Sequence, residues 1–479
     1  MVSKVHTVIV LAAGHGKRMN SDLPKILHKI GNFSILEHVI SSSKQLNPEN
    51  VAVVVDQPLA QELGGIEGIE LITQELMLGT GDAVKTAMRN LKALPDLSVR
   101  PFAKPVCDEK FLGEVEMRTT EYLGVFEEHR QALTTKLPSE IELCERSIVV
   151  VQYGDTPLIK NSTITKMVNC LKDNALVCLG FKASNKEYGR LIIENDSLKE
   201  IIEAKDSRDN YGEFLANAGT MVAYAKNLRE LVEKIECNNS THEYYLTDIV
   251  SIAVKNGLSV GYIVTDEEEA MGINNRNDLA RAEFSFQTSK RNFFIDSGVT
   301  LVSPKTVFFS LDTEIAKDSV IYPYVFFGPG VKIESSAKIM SFSHLENCLI
   351  KSGAAIGPFA RISKDTIIND NATIGNFVEV KTSNIGKNTK IKHLSYVGNT
   401  KVGQGSNIGA GTVVCNYDGK KKHETNIGNK CFIGANSSLI APLNVHSNSR
   451  VAAGSVIVDD VPEKSLAIAR KKQVIKKRK

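Results

Sequence analysis

"IKSGAAIGPFARISKDTIINDNATIGNFVEV", Ile350 to Val380, carries an aliphatic residue at every sixth position: Ile350, Ile356, Ile362, Ile368, Ile374 and Val380. A helix, with a period near 3.6, does not produce that spacing, and neither does a strand alternating at 2. It matches the hexapeptide repeat of a parallel β-helix, in which each hexad supplies one short strand and one turn of a triangular prism. The same period runs outward in both directions. Ile315, Ile321, Phe327, Ile333, Ile339 and Leu345 precede it, and Ile385, Ile391 and Val397 follow, then Val402, Ile408 and Val414. Ile427, Ile433 and Leu439, and finally Val445, Val451 and Ile457, complete the run. Breaks in register, above all the polar gap "CNYDGKKKHETN" between Val414 and Ile427, predict loops that leave the prism, where ligand groups tend to sit.

Before about residue 275 the text is different. β-branched runs such as "HTVIVLAAG", "NVAVVVD" and "RSIVVVQYGD" alternate with helical patterns such as "SILEHVISSSKQL", as in a βαβ sheet buried on both faces. Residues from about 95 to 145 are charged and irregular, and so long a stretch between strands reads as an insertion. "NRNDLARAEFSFQTSKRNFF" reads as a connecting helix over 276–298, with Leu279 and Phe286 on one face. The β-helix is expected over 299–479.

At 479 residues, 42% apolar and 24% charged, the chain has the composition of an ordinary soluble protein of two or three domains. A net charge of +3 is too small to argue for nucleic acid as the main partner. The basic excess collects in "RKKQVIKKRK" from Arg470, which reads as a solvated tail or as a clamp for a polyanion. Eight scattered cysteines form no CxxC pair, so neither a disulfide framework nor a structural zinc site is indicated. No stretch has the length of a membrane span or a signal segment, and a cytoplasmic protein is expected.

"LAAGHGKRMNSDLPKIL", Leu11 to Leu27, runs from an apolar strand into small residues and cations. Gly14 and Gly16 let the backbone approach a ligand, and successive N–H groups there can form an anion-binding concavity. Lys17, Arg18 and Lys25 add charge, and Pro24 fixes the backbone ahead of Lys25. The string is neither a Walker A loop nor GxGxxG, because Met19 stands where the third glycine belongs. Taken alone it also suits a tight strand-to-helix turn with solvated basic residues.

The pattern LxxGxGxRMxSxxPKxL resembles the signature of the sugar-nucleotide pyrophosphorylases. Joined to a C-terminal hexapeptide β-helix, it is similar to the bifunctional N-acetylglucosamine-1-phosphate uridyltransferase/glucosamine-1-phosphate acetyltransferase family. Further motifs follow in that family's order: "QELMLGTGDA", "YGDTP", "YGRLI", "IEAKD", "NAGT", "EYYLTD" and "GINNR". The resemblance implies a Rossmann-like nucleotidyltransferase domain over 1–275 and a left-handed parallel β-helix after it. It also implies two reactions of UDP-N-acetylglucosamine synthesis.

In the first half, the phosphate of N-acetylglucosamine 1-phosphate would attack the α-phosphorus of UTP, with pyrophosphate leaving. An anion must approach a polyanion, so positioning and charge neutralisation should dominate the catalysis. The resemblance implies Mg²⁺ held by Asp155 and Asn274, and phosphates gripped by Arg18 and Lys25. Ala13, Gly14, Gln74, Gly79 and Thr80 would bind the nucleotide, with Gln74 pairing to the uracil edge. Gly189, Glu203, Asn217, Tyr245 and Thr247 would bind the sugar. By residue type alone, Asp155 reads rather as a turn residue and Asn274 as a helix cap.

In the second half, acetyl-CoA would acetylate the amine of glucosamine 1-phosphate, with His393 taking the proton. Arg361, Lys381, Tyr396, Asn407, Asn416 and Tyr417 match the acceptor site, with Asn416 able to donate to a tetrahedral oxyanion. Ala410, Ala435, Ala453 and Arg470 match the acetyl-CoA site. By spacing alone His393 is a solvated histidine near a turn. Ala435 departs from the family's usual serine, with Ser437 as a candidate replacement. The family assembles as a homotrimer, which the resemblance implies here. Two other readings stand beside this one: a uridylyltransferase whose β-helix only trimerises it, and a non-enzymatic anion-binding protein.

Overall fold

The computed structural model describes residues 4–14, 17–64, 66–91, 147–184, 187–206, 212–237, 239 and 242–476. The insertion expected at about 95–145 lies outside these residues, as do Gly16 and the side chain of Lys17. The chain divides into two compact units, one of residues 1–27 and 35–275, the other of residues 28–34 and 276–479.

Among the described residues, the first unit is built on a nine-stranded sheet. Its main path runs Val260–Thr265, Leu176–Ala183, Phe214–Tyr224, Ile148–Tyr153, Val5–Leu11, Asn50–Val55, Glu70–Thr73. All neighbours on this path are parallel except Phe214–Tyr224, which is antiparallel to both strands beside it. A hairpin of Arg190–Glu194 and Ser197–Ile202 joins the path through Ala216 and Arg190. The continuous apolar runs follow from burial on both faces. Val8, Val10, Val51, Val53, Val55 and Val150 enter one core, while Ile9, Ala52, Val54, Val149 and Val151 enter the other. The strand ends converge: Ala12 N donates to Val54 O and Gly154 N to Leu11 O, each at 2.8 Å.

The second unit is a left-handed parallel β-helix whose described strands form three parallel sheets of 10, 8 and 8 strands. Each aliphatic of the six-residue pattern stacks on its counterpart one coil away, as in Ile356, Ile374, Ile391, Ile408, Ile433 and Val451 along one face. These six side chains are at most 3% exposed and belong to a single core. The polar gap leaves the prism as expected. Tyr417 and Lys422 pair across a small antiparallel bridge. Asp418 holds this loop by accepting from Lys420 N and Lys421 N at 2.8 Å and facing His423 Nε2 at 2.7 Å. Those bonds hold its carboxyl well below the usual range.

A prism needs an end. Helix Arg276–Asp296 supplies one, burying Ala282, Phe286, Gln287, Arg291 and Phe294, with Leu279 only half-buried. Phe294 meets Phe309 at 4.8 Å between ring centroids, and Phe309 stacks on Phe327 at 5.3 Å. Gln287 pairs with Phe309 in both directions: Nε2 donates to Phe309 O at 2.7 Å and Oε1 accepts from Phe309 N at 2.8 Å. Residues 28–34 join this end from far away in sequence. Gly31 N donates to Glu283 Oε2, while Gly31 O accepts from Leu311 N and Ser310 Oγ.

The described cysteines are free. No helix among the described residues is long and apolar enough to cross a membrane. Gln287→Leu leaves a buried N–H and C=O unpaired and should cost about 2–4 kcal/mol. The check is an earlier urea midpoint for loss of the β-sheet circular dichroism signal, and an unchanged midpoint contradicts it.

Candidate functional site

A cavity of about 660 Å³ opens where the first unit's strand ends meet. Ala13, Gly14, Lys25, Gln74, Gly79, Thr80, Asp155, Glu203 and Tyr245 line it, so nine of the expected residues share one wall or another. Ile273 N donates to Asp155 O at 3.0 Å, which brings the following Asn274 beside Asp155. The Lys25 ammonium lies 2.5 Å from Asp155 Oδ2 and 3.3 Å from Asn274 Oδ1. Arg18 donates from Nη2 to Asn274 Oδ1 at 3.1 Å and from Nη1 to Glu187 Oε2 at 2.8 Å. Two hard oxygen donors thus face one cationic point, a donor set that fits Mg²⁺, which keeps its remaining positions for water and phosphate.

Gly79 has φ +110°, and a Cβ there would lie 2.6 Å from Tyr244 O, so only glycine suits this start of helix Thr80–Asn90. Thr80 Oγ1 accepts from Leu246 N at 3.0 Å. The remaining sugar candidates form a linked group around Glu203. Thr247 Oγ1 donates to Glu203 Oε1 at 2.8 Å, and Asn217 N donates to Gly189 O at 2.7 Å. A Cβ on Gly189 would stand 3.4 Å from Glu203 Oε2. Burial raises the Glu203 pKa, against the Thr247 hydrogen bond. Burial, and then the Glu203 and Asp206 charges, push Asp248 up to about 6.

Sequence reasoning missed four residues here. Glu187, Tyr153 and Lys205 line the cavity, and Asp82 accepts from Gln74 Nε2 at 2.7 Å. Tyr153, Lys205 and Asp82 stand inside "YGDTP", "IEAKD" and "QELMLGTGDA", and Glu187 directly precedes "YGRLI", so the motifs marked the segments without marking these side chains.

On the β-helix, His393 lines a second cavity of about 440 Å³ with Phe359, Asn376, Phe377 and Lys392. His393 Nδ1 lies 2.6 Å from Asn376 Oδ1. An amide oxygen only accepts, so Nδ1 is the donor of this pair. Asn376 was also missed, although the register places it one coil before His393. Ala410, Ala435 and Ala453 continue that column: Asn436 N donates to Ala410 O, Gly454 N to Ala435 O, and Arg470 Nη1 to Ala453 O at 2.7 Å. Ser437 does not replace the missing hydroxyl. It is fully buried, and its Oγ donates to Gly434 O at 2.7 Å.

Arg361 and Tyr396 point outward from a different sheet, with Glu379 between them in register and Lys381 two residues along. None of these four lines the His393 cavity. The Lys364 charge, then burial and the Lys422 charge, lower the pKa of Lys381, marking a cation cluster suited to an anion. Asn416 Nδ2 donates to Asn399 Oδ1 at 2.6 Å, and Gly398 leaves room for both that amide and the Tyr396 hydroxyl. Asn407 is half-buried on the His393 sheet, and Tyr417 is exposed on the loop, its hydroxyl donating to Gly419 O.

Residues 8–239 match the MobA-like NTP transferase domain, and residues 344–420 match the GMPPB C-terminal domain. The protein named bifunctional protein GlmU of Wolbachia pipientis wMel is 68% identical over 477 residues, 100% of each chain. Its namesake from the Wolbachia of Brugia malayi is 62% identical over 98% of this chain and 99% of its own. That of Anaplasma marginale (strain Florida) is 40% identical over 98% of each. The chain belongs to the bifunctional GlmU family. It is a bifunctional transferase of UDP-N-acetylglucosamine synthesis, carrying both uridylyl transfer and acetyl transfer.

The raised Asp248 pKa has a measurable consequence. A carboxyl that ionises less readily in the folded chain contributes its stability fully below the ordinary 3.8 and loses it as pH rises through about 6. Asp248→Asn should therefore change little at pH 4 and stabilise at pH 8, by about 1 kcal/mol after solvent screening of a half-buried group. Melting temperatures of both proteins at the two pH values test this; an equal shift at both contradicts it.

Proposed function

We propose that the first unit performs uridylyl transfer with Arg18 and Lys25 as its phosphate-binding cations and with Asp155 and Asn274 as ligands of Mg²⁺. The convergence of Asp155 Oδ2 and Asn274 Oδ1 on the Lys25 ammonium, at one end of the cavity, carries this reading. When bound, Mg²⁺ offsets the repulsion between the sugar phosphate and the triphosphate and draws charge from the α-phosphoryl group. Gln74, Gly79 and Thr80 receive the uracil, Ala13 and Gly14 present backbone groups beside the nucleoside, and the group around Glu203 receives the sugar. Arg18, now paired with Glu187, is within reach of a phosphate in place of that carboxylate. Catalysis here is alignment and charge neutralisation.

In the second unit His393 acts as general base through Nε2, taking the proton as the sugar amine attacks the thioester carbonyl. The tetrahedral intermediate collapses with CoA thiolate leaving, and the imidazolium can return its proton to that sulfur. Asn416 steadies the oxyanion with an amide already oriented by Asn399. Arg361 and Lys381 hold the sugar phosphate, with Tyr396, Asn407 and Tyr417 around the ring and loop. The column of small residues Ala410, Ala435 and Ala453 leaves a smooth track for acetyl-CoA, ending at Arg470. Both reactions take place in the cytoplasm, where their nucleotide substrates are.

A trimer is part of this reading, and an apolar ladder supports it. Tyr324, Phe342, Phe359 and Phe377 stack at 5.0, 4.9 and 5.1 Å, with Leu394 next at the same corner. Each is between 45% and 63% exposed, a contiguous apolar strip that a neighbouring copy would cover beside His393. Separation of the His393 cavity from Arg361 and Lys381 supports completion of the site by that copy.

Pyrophosphate release and CoA release, assayed on wild type, Asp155→Ala and His393→Ala, test the assignments. Asp155→Ala should abolish the first and spare the second. His393→Ala should lower the second about 10²–10⁴-fold and spare the first. Loss of both activities in either variant overturns the separation of sites; CoA release unaffected by His393→Ala overturns the base. Phe342→Glu with Phe359→Glu should shift the sedimentation mass from three chains toward one, and an unshifted trimer removes the ladder from the interface.

A further inference from the structure

Gln74 directly follows the strand Glu70–Thr73 and is only 4% exposed, with its backbone N–H bonded to Val55 O. Its side-chain amide is held one way round. Nε2 donates to Asp82 Oδ2 at 2.7 Å and to Gly79 O at 3.2 Å. Both partners are acceptors, a carboxylate oxygen and a carbonyl, so both N–H bonds of the amide are committed. A half-turn of the amide would set Oε1 against two oxygens. Among the described residues Oε1 receives no hydrogen bond, and Gln74 lines the cavity. Asp82 does not line it. It sits in the first turn of helix Thr80–Asn90, where the helix start favours a negative charge, and it reaches a ligand only through Gln74.

We propose that Asp82 is a positioning residue for base selection: it holds the Gln74 amide with its oxygen toward the ligand, so the site reads the N3–H of uracil and rejects cytosine. This rests on the reading of Gln74 as the base contact. Uracil has one donor on its pairing edge, N3–H, between the acceptors O2 and O4. A fixed acceptor can bond only that atom. Cytosine presents a bare lone pair at N3, so Oε1 would lose its bond and face another acceptor. A site built to bond a donor rejects an analogue lacking it far more strongly than an apolar pocket would. A glutamine free to turn would serve both bases, offering its oxygen to one and its amino group to the other. Asp82 removes that freedom.

The test is kcat/KM for UTP and for CTP, each with N-acetylglucosamine 1-phosphate, in wild type, Asp82→Asn, Asp82→Ser and Gln74→Ala. Asparagine keeps the size of the side chain but offers either a donor or an acceptor, so the two amides can turn together. In Asp82→Asn the UTP/CTP ratio should fall at least ten-fold, with CTP use rising above wild type. A merely structural defect lowers both substrates and leaves their ratio alone, and the ratio does not depend on the fraction of protein folded. Asp82→Ser should lower the ratio in the same direction, and Gln74→Ala should lower it through loss on UTP. An unchanged ratio in both Asp82 variants beside a lowered one in Gln74→Ala overturns the role of Asp82 and keeps Gln74 as the base contact. An unchanged ratio in all three variants overturns both.

Discussion

Stacking of like on like, one coil above another, is the constraint on which the second unit depends. An inward aliphatic in a parallel β-helix has its counterpart as nearest neighbour, so the prism is stable only if the pattern keeps step from rung to rung. The register shows how strictly this holds: Ile350 pairs with Ile368 and Ile368 with Ile385, although the sequence slips by one residue between Val380 and Ile385. Because the core is maintained by inward positions alone, outward and corner positions are released for chemistry. His393, Asn376 and the alanine column all occupy one such corner.

The first unit solves a different problem, holding two cations on one side of its cavity, where the proposed reaction brings a polyanion. Glu187, Arg18, Asn274, Lys25 and Asp155 form a chain of alternating donors and acceptors across one side of the cavity. Each cation is oriented before any substrate arrives, so less side-chain freedom is lost on binding. Lys25 and Asp155 are mostly shielded from solvent, whereas Arg18 and Glu187 are more than half exposed. The inner pair is therefore the better ordered of the two, and the outer pair the easier to exchange.

Fold and site were not equally legible in the sequence. Periodicity is a local signal, and both the six-residue repeat and the β-branched runs of the sheet follow directly from which faces are buried. The antiparallel strand Phe214–Tyr224 was hidden, because a strand buried on both faces reads the same in either direction. Residues proposed for the site and embedded in motifs, such as Lys25 after Pro24 or Asp155 after its strand, could be named from the sequence. Asn376 and Asp82 were not singled out, although Asp82 stands inside "QELMLGTGDA", since each touches another candidate side chain and has no reactive pattern of its own. For Asn376 a signal existed in hindsight: in a regular coil, the residue one turn earlier faces the same way. Ser437 shows the opposite failure, a hydroxyl of the right type whose alternation turns it into the core.

Residues 28–34 belong to the β-helical unit while the chain on both sides of them belongs to the other. The polypeptide therefore leaves the sheet early, visits the end of the prism, and returns before it leaves for good. Neither unit is a continuous segment, and severing the backbone after Asn275 would not yield two intact halves. The C-terminal fragment would lack the glycine that receives Leu311 N and Ser310 Oγ, and the N-terminal one would carry an orphaned hairpin. Evolutionary exchange of one activity by simple gene fusion would meet the same obstacle.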